Sequence, residues 1–200
     1  RPAALYRHMT LADEATLIEQ ARADPAAFGI LYDRYVGRIY AYALRQTADV
    51  AAAEDITATT FEKALRHIRR FRRPEAGLAP WLYRIAHNEI IQRARRERFT
   101  VAWGEEELPE SGPRHNGDGR PPEATLLAQE RRHDLLAALR RLSDADRDVL
   151  TLRLLEGLPA ADVAVVLGCS RENVYVRLHR ALGRLRQQLE QLAATEAKPS

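Results

Sequence analysis

Pro159-Ala-Ala-Asp-Val-Ala-Val-Val-Leu167-Gly168-Cys169-Ser170-Arg-Glu-Asn-Val-Tyr-Val-Arg177-Leu-His-Arg-Ala181 is the stretch on which the reading of this chain turns. Pro159 suits the start of a helix, because its missing N–H has no partner there in any case. The run to Leu167 continues that helix. Gly168 supplies a turn that needs a permissive backbone. Ser170 is then predicted to cap a second helix, its hydroxyl accepting an otherwise unpaired N–H. Ala164 and Gly168, four residues apart, are small enough for the two helices to approach closely. In the second helix Val174, Leu178, Ala181, Leu182, Leu185 and Leu189 form the predicted buried stripe. Arg171, Glu172, Asn173, Tyr175, Arg177, His179 and Arg180 are left as the exposed face, with Ser170 at its start. Between Arg171 and Arg186 five arginines stand against Glu172 alone. A short helix, a tight turn and a capped, Arg-rich helix make a helix-turn-helix that reads duplex DNA in the major groove. The first residues are expected at base edges, and Arg180, Arg184 and Arg186 at phosphates. The competing reading is a plain helical hairpin with a solvated face. Turn, cap, small residues and charge agree on DNA.

Outward from that motif the chain reads as helical nearly throughout. Ser143-Asp-Ala-Asp146 resembles a capping box with Asp in place of Glu, and it opens a helix to Leu155 that stops at Gly157. Glu123 to Leu142 predicts the helix before it, carrying Leu126, Leu127, Leu135, Leu136 and Leu139. Upstream again, over residues 104–118, Glu105, Glu106, Glu107, Glu110 and Asp118 stand against Arg114 alone, and the same stretch and its flank hold Pro109, Gly112, Pro113, Gly117, Gly119, Pro121 and Pro122. Such a stretch cannot bury enough apolar surface to offset its ordering entropy, which predicts a flexible acidic linker. The N-terminal part predicts helices over Leu11 to Ala23, Ala26 to Gln46, Ala51 to Ile68 and Trp81 to Arg98, with breaks at Asp24-Pro25 and at Pro74, Gly77 and Pro80. On the second, Phe28, Leu31, Tyr35, Ile39, Tyr42 and Ala43 share one face. On the third, Ile56, Thr60, Phe61, Leu65 and Ile68 do. The fold class expected is all-α: an N-terminal domain over residues 1–99, a linker over 100–122 and a C-terminal domain with the helix-turn-helix over 123–200.

Composition bounds the rest. Of 200 residues 46% are hydrophobic and 30% charged, enough for a real core under a solvated surface. The net charge is only +3, but all the basic residues except Lys63 and Lys198 are arginine, whose planar fork suits phosphates and base edges. A bias of the source genome would give the same excess, so position rather than count carries the argument. Cys169 is the single cysteine, which excludes an internal disulfide and favours a small buried hydrophobe over a redox sensor. No apolar run approaches a membrane span and residues 1–15 lack a signal-peptide core, so a cytoplasmic protein without membrane contact of its own is expected. The six histidines are scattered without metal-ligand spacing, and no nucleophile elbow, P-loop or zinc motif occurs. No catalytic residue, metal or cofactor is therefore expected.

Basic charge in the N-terminal part is concentrated. From Arg66 to Arg98 ten arginines stand against Glu75, Glu89 and Glu97, with Phe71, Trp81, Tyr83 and Phe99 among them. Arginines interleaved with aromatics suit single-stranded nucleic acid, on which bases stack. Singly, Trp81 and Tyr83 read first as core; the segment as a whole favours nucleic acid.

Three stretches then carry a resemblance. Ala53-Glu-Asp-Ile-Thr-Ala-Thr-Thr-Phe61 is similar to the core-binding helix of bacterial RNA polymerase sigma factors of the compact extracytoplasmic-function group. Trp81-Leu-Tyr-Arg-Ile-Ala-His-Asn88 with Arg95-Arg96 resembles their promoter-melting helix. Glu156-Gly-Leu158, Ala164, Leu167-Gly168, Val174 and Arg177-Leu-His-Arg-Ala181 resemble their C-terminal helix-turn-helix. The chain departs from the family pattern at Ala58-Thr59, where Gln-Glu is usual, at Gln92 for Asp, at Tyr175-Val176 for Lys-Ser, and at Ser143 for Pro.

The resemblance implies an alternative sigma factor that binds core RNA polymerase, at the clamp of its beta-prime subunit, through Asp55, Ala58, Thr59 and Glu62. It implies that unpaired bases of a minus-ten element are captured by Phe71, Arg72, Arg73, Trp81, Arg84, His87, Asn88, Gln92, Arg95 and Arg96. The recognition helix then reads the minus-thirty-five element of promoter DNA as duplex, with Tyr175 and Val176 bearing on which promoter is chosen. The acidic linker is expected near the RNA path, and an anti-sigma factor is an expected partner. The alternatives are a helix-turn-helix regulator that never joins the polymerase, which the core-binding pattern disfavours, an enzyme, and a pure interaction module, which needs no two basic surfaces.

Overall fold

Asp24 ends one helix and caps the next: its carboxylate accepts the Ala26 N–H at 2.8 Å, and Pro25 fills the first helical position. The computed structural model describes residues 11–72, 77–101, 134–135, 137–139 and 141–196. Among these every regular element is helical, and the chain divides into two compact units.

The N-terminal unit holds α1 (Leu11–Ala21), α2 (Pro25–Thr47), α3 (Val50–His67), a 3-10 turn (Ile68–Arg70) and α4 (Ala79–Val101). Helix α4 thus runs two residues into the stretch expected to be linker. Helix α2 packs on α1, α3 and α4, and α3 packs on α4. The expected stripe of α2 is buried in full, Phe28 to Ala43. Tyr42 meets the Tyr83 ring edge-on at 5.3 Å between centroids, and Tyr32 meets Phe61 likewise at 4.7 Å. Such pairs are worth about 0.5–1.5 kcal/mol beyond their buried area. Lys63 binds Glu89 at 2.6 Å and so pins α3 to α4. The stripe of α3 differs at one place. Leu65 is 46% exposed, and Ala64 sits in the core instead. A small residue there lets the helices approach more closely than leucine would.

The C-terminal unit begins, within the described residues, at a helical turn whose Ala138, Leu139 and Leu142 are buried. Residues 102–133, which hold the rest of the expected linker and the first half of the helix expected after it, lie outside the described residues. Ser143 caps α5 (Asp144–Leu150), accepting the Asp146 N–H at 3.3 Å and donating its own hydroxyl to Asp146 Oδ2 at 2.8 Å. The helix expected to reach Leu155 instead widens after Leu150 into a π turn, Thr151–Leu155, closed by the Glu156 N–H on the Thr151 carbonyl at 2.9 Å. Helices α6 (Ala160–Leu167) and α7 (Arg171–Glu196) follow, and α7 packs on α5. Val174, Ala181 and Leu185 of α7 are buried and Leu178 and Leu189 half-buried. Leu182, expected in that stripe, is 42% exposed. Ala181 occupies the inward position beside it.

Candidate nucleic-acid interface

The turn between α6 and α7 is built as its residue types demand. Gly168 has φ +63°, a left-handed backbone that costs a β-carbon residue strain. The Cys169 N–H closes on the Ala164 carbonyl at 3.1 Å. Ser170 Oγ accepts the Asn173 N–H at 3.2 Å and so starts α7. Cys169 is half-buried in this turn.

Of the eight residues expected to read DNA, seven are exposed: Ser170, Arg171, Glu172, Asn173, Tyr175, His179 and Arg180. Arg177 is half-buried. Its Nε donates to Asn173 Oδ1 at 3.0 Å, one helical turn away, which orients both side chains. Hydrogen bonds from its own backbone N–H and from the Ser170 hydroxyl hold the Glu172 carboxyl below its ordinary value, so it is ionised at neutral pH. An ionised carboxylate at this place is able to accept from a cytosine N4 and repels phosphates. Tyr175 is 53% exposed beside exposed Val176. Apolar groups here suit a thymine methyl. Arg184, expected at a phosphate, here places Nη1 2.5 Å from Asp146 Oδ2, in the same cluster as the Ser143 hydroxyl. It ties α7 to α5.

In the N-terminal unit, Arg84, Asn88, Gln92, Arg95 and Arg96 are exposed on α4, at three- and four-residue steps that align them along one side. Arg93 is held by Glu97 at 2.6 Å and by Asp49 at 3.7 Å. Trp81 is half-buried and lies against Phe71, 4.9 Å between centroids with rings tilted by 33°. Phe71 is itself buried and Arg72 exposed, while Arg73 lies outside the described residues. His87 does not join the exposed row. It is 7% exposed, with Nδ1 3.3 Å from the Tyr42 hydroxyl. Its place in the row's sequence spacing concealed that α2 offers a polar partner inside.

His87 carries a pH prediction. Burial holds its imidazole below the ordinary value of 6.5. The unfolded chain takes up a proton near pH 6.5 that the folded chain resists. Stability is therefore full above that pH and falls as pH drops toward the folded value. Thermal melting should give a lower Tm at pH 5.5 than at 7.5, and His87→Gln should shrink the difference. An undiminished difference in the variant would remove His87 as its source.

Asp55, Ala58 and Glu62 are exposed and Thr59 half-buried on one side of α3. The structure brings all four together with Glu89 and Arg93 of α4 along a groove of about 700 Å³. Among the described residues no group of three or more His, Cys, Asp and Glu side chains is placed to hold a metal, and no helix is long and apolar enough to cross a membrane.

Comparison with known proteins fits this geometry. Residues 31–100 match the family described as Sigma-70 region 2, and residues 132–185 match Sigma-70, region 4. The chain is 34% identical over 167 residues to the ECF RNA polymerase sigma factor BldN of Streptomyces coelicolor, a match spanning 83% of this chain and 62% of BldN. It is 32% identical over 178 residues to the ECF sigma factor SigL of Mycobacterium tuberculosis, spanning 88% of this chain and 96% of SigL. In fold it is similar to the sigma factor RpoE of Bartonella quintana, solved in complex with the anti-sigma factor NepR, with a TM-score of 0.68 at 24% identity over 82% of this chain and 96% of RpoE. It is similar also to CnrH, solved with the cytosolic domain of CnrY, with a TM-score of 0.63 at 25% identity over 89% and 97% of the two chains. A capped recognition helix, an arginine-lined α4 and these agreeing matches have one reading: the chain belongs to the extracytoplasmic-function group of RNA polymerase sigma factors, which direct transcription initiation.

Proposed function

We propose that the two units divide one promoter between them. Residues 123–200 read the minus-thirty-five element as duplex through Ser170 to Arg180. Residues 1–99 capture unpaired minus-ten bases along Arg84, Asn88, Gln92, Arg95 and Arg96, with Arg72, Arg73 and the Phe71–Trp81 pair at its start. His87 supports that face from beneath. The α3 side with Asp55, Ala58, Thr59 and Glu62 takes the clamp of core polymerase, and residues 100–122 join the units. The observation that carries this reading is the presence in one chain of two exposed arginine-bearing helix faces, one capped for a groove and one beginning at an aromatic pair. The protein acts in the cytoplasm, where core polymerase is, and performs no catalysis of its own. An anti-sigma factor that covers these faces belongs to the proposal, since RpoE is held by NepR.

Magnitudes assign the polymerase an active share. Opening about ten base pairs costs roughly 1.4 kcal/mol per stacked step, and so more than about 10 kcal/mol. Each base stacked on protein returns about 1–3 kcal/mol. Free protein should therefore bind promoter DNA weakly and in a salt-sensitive way, and initiate only with core. The test is transcription in vitro from a library of genomic promoter fragments, with core polymerase alone and with this chain added. Defined transcripts are expected only with both. Core that stays silent across the library would overturn the proposal. A regulator acting without polymerase would instead bind duplex fragments tightly and leave core unchanged.

A further inference from the structure

Helix α1 has no part in the reading above, yet it holds both ends of the segment that leads into α4. Glu14, in its first turn, is 1% exposed. Its Oε1 accepts the Leu78 N–H at 2.7 Å, and both oxygens accept the Tyr35 hydroxyl, at 2.8 and 2.9 Å. Arg34 Nη2 lies 3.3 Å from Oε2. At the other end Arg22, just past α1, donates from Nη2 to the Phe71 carbonyl, and its own carbonyl accepts Arg69 Nε at 3.0 Å.

Leu78 occupies the cap position of α4, since its carbonyl accepts the Leu82 N–H at 3.0 Å. In a capping box the N–H of such a residue is taken by a Glu or Gln three positions on, where this chain has Trp81. Here the chain anchors that residue with a carboxylate 64 positions away. Burying a carboxylate is costly unless it is well paired, and Glu14 is paired from three sides, by Tyr35, Arg34 and the Leu78 N–H. Burial, reinforced by the charge of Glu14, keeps the Tyr35 hydroxyl above its ordinary value, so it stays a donor to that carboxylate. The consequence is geometric. Phe71 and Leu78 are fixed to one helix, and Trp81, one turn into α4, is set against Phe71.

We infer that Glu14 and Arg22 are positioning residues for minus-ten capture: α1 clasps the entry and exit of the segment before α4, and so sets the aromatic pair and the row that begins at Arg84. This rests on the assignment of that row to unpaired promoter bases. The experiment uses holoenzyme of the full chain with core polymerase and a single-stranded DNA pool randomised at ten positions. Bound DNA is sequenced, core affinity is measured in parallel, and so is binding to a duplex pool. Wild type should enrich a motif from the single strands. Glu14→Leu and Arg22→Met should lower that enrichment about tenfold with core affinity and duplex selection unchanged. Arg22→Lys, which keeps a donor for the Phe71 carbonyl, should recover it. A general loss of folding would move core affinity as well. If Glu14→Leu loses core binding, half-buried Arg22 decides: undiminished enrichment by Arg22→Met overturns the inference. Equal enrichment by all variants does so too. A wild-type holoenzyme that enriches nothing from single strands instead refutes minus-ten capture itself, and the inference falls with it.

Discussion

Arg177→Ala together with Arg180→Ala will lower the affinity of the holoenzyme for upstream promoter duplex by about a hundredfold or more. A good bidentate arginine contact to a base discriminates by about 1–3 kcal/mol, and a phosphate contact adds a salt-dependent share. Arg177 is fixed by Asn173 at 3.0 Å, so its fork is oriented before DNA arrives and little is lost in ordering it. Arg180 is exposed on the same helix. The slope of log affinity against log salt should fall by about one to two as these charges go. Arg184 is the contrast. Its partner is Asp146 at 2.5 Å, so Arg184→Ala should lower Tm and leave the salt slope nearly unchanged. Fluorescence anisotropy over a salt series separates the two. Unchanged affinity in the double variant would end the assignment of α7 as the recognition helix.

What could be read in the sequence followed from how local each signal is. The stripe of α2 and the caps at Ser143 and Ser170 depend on neighbours within a turn or two, and spacing reveals them. Leu65 misled because it follows an alanine that also fits the stripe, Ala64, and Leu182 because it adjoins Ala181 at the edge of a stripe that includes both. Hydrophobicity favours the leucine, but close helix approach admits the smaller residue, and only packing decides between positions about 100° apart. The exposed row of α4 was legible except for His87, whose inward turn depends on Tyr42, 45 positions earlier. Glu14 was missed for the same reason, since its partners lie 21 and 64 positions away. A signal existed. Glu14, Leu17, Ile18 and Ala21 recur at helical spacing, so the acid stands in line with an apolar stripe. An acid in such a place has a partner to find.

Charge reversal on α3, Asp55→Arg with Glu62→Arg, will cost the chain its place on core polymerase. The stretch around these residues resembles the family's core-binding helix, and this chain has Ala58 and Thr59 where Gln-Glu is usual. Two of the usual polar groups are therefore absent, and Asp55 and Glu62 carry the acidic charge of that side. Both are exposed, and both line the groove that α3 makes with α4. Close charge pairs at protein interfaces couple by about 1.5–7 kcal/mol, and like charges set against each other cost several more. Two reversals should then weaken core binding by about a thousandfold, a loss visible as failure to co-elute with core at micromolar concentration. Neither side chain is buried, so Tm should stay near that of the wild type. Duplex binding by the free chain should also persist, since the recognition helix lies in the other unit. That combination separates a lost interface from a lost fold. Co-elution at wild-type levels would show that this side of α3 does not meet the polymerase.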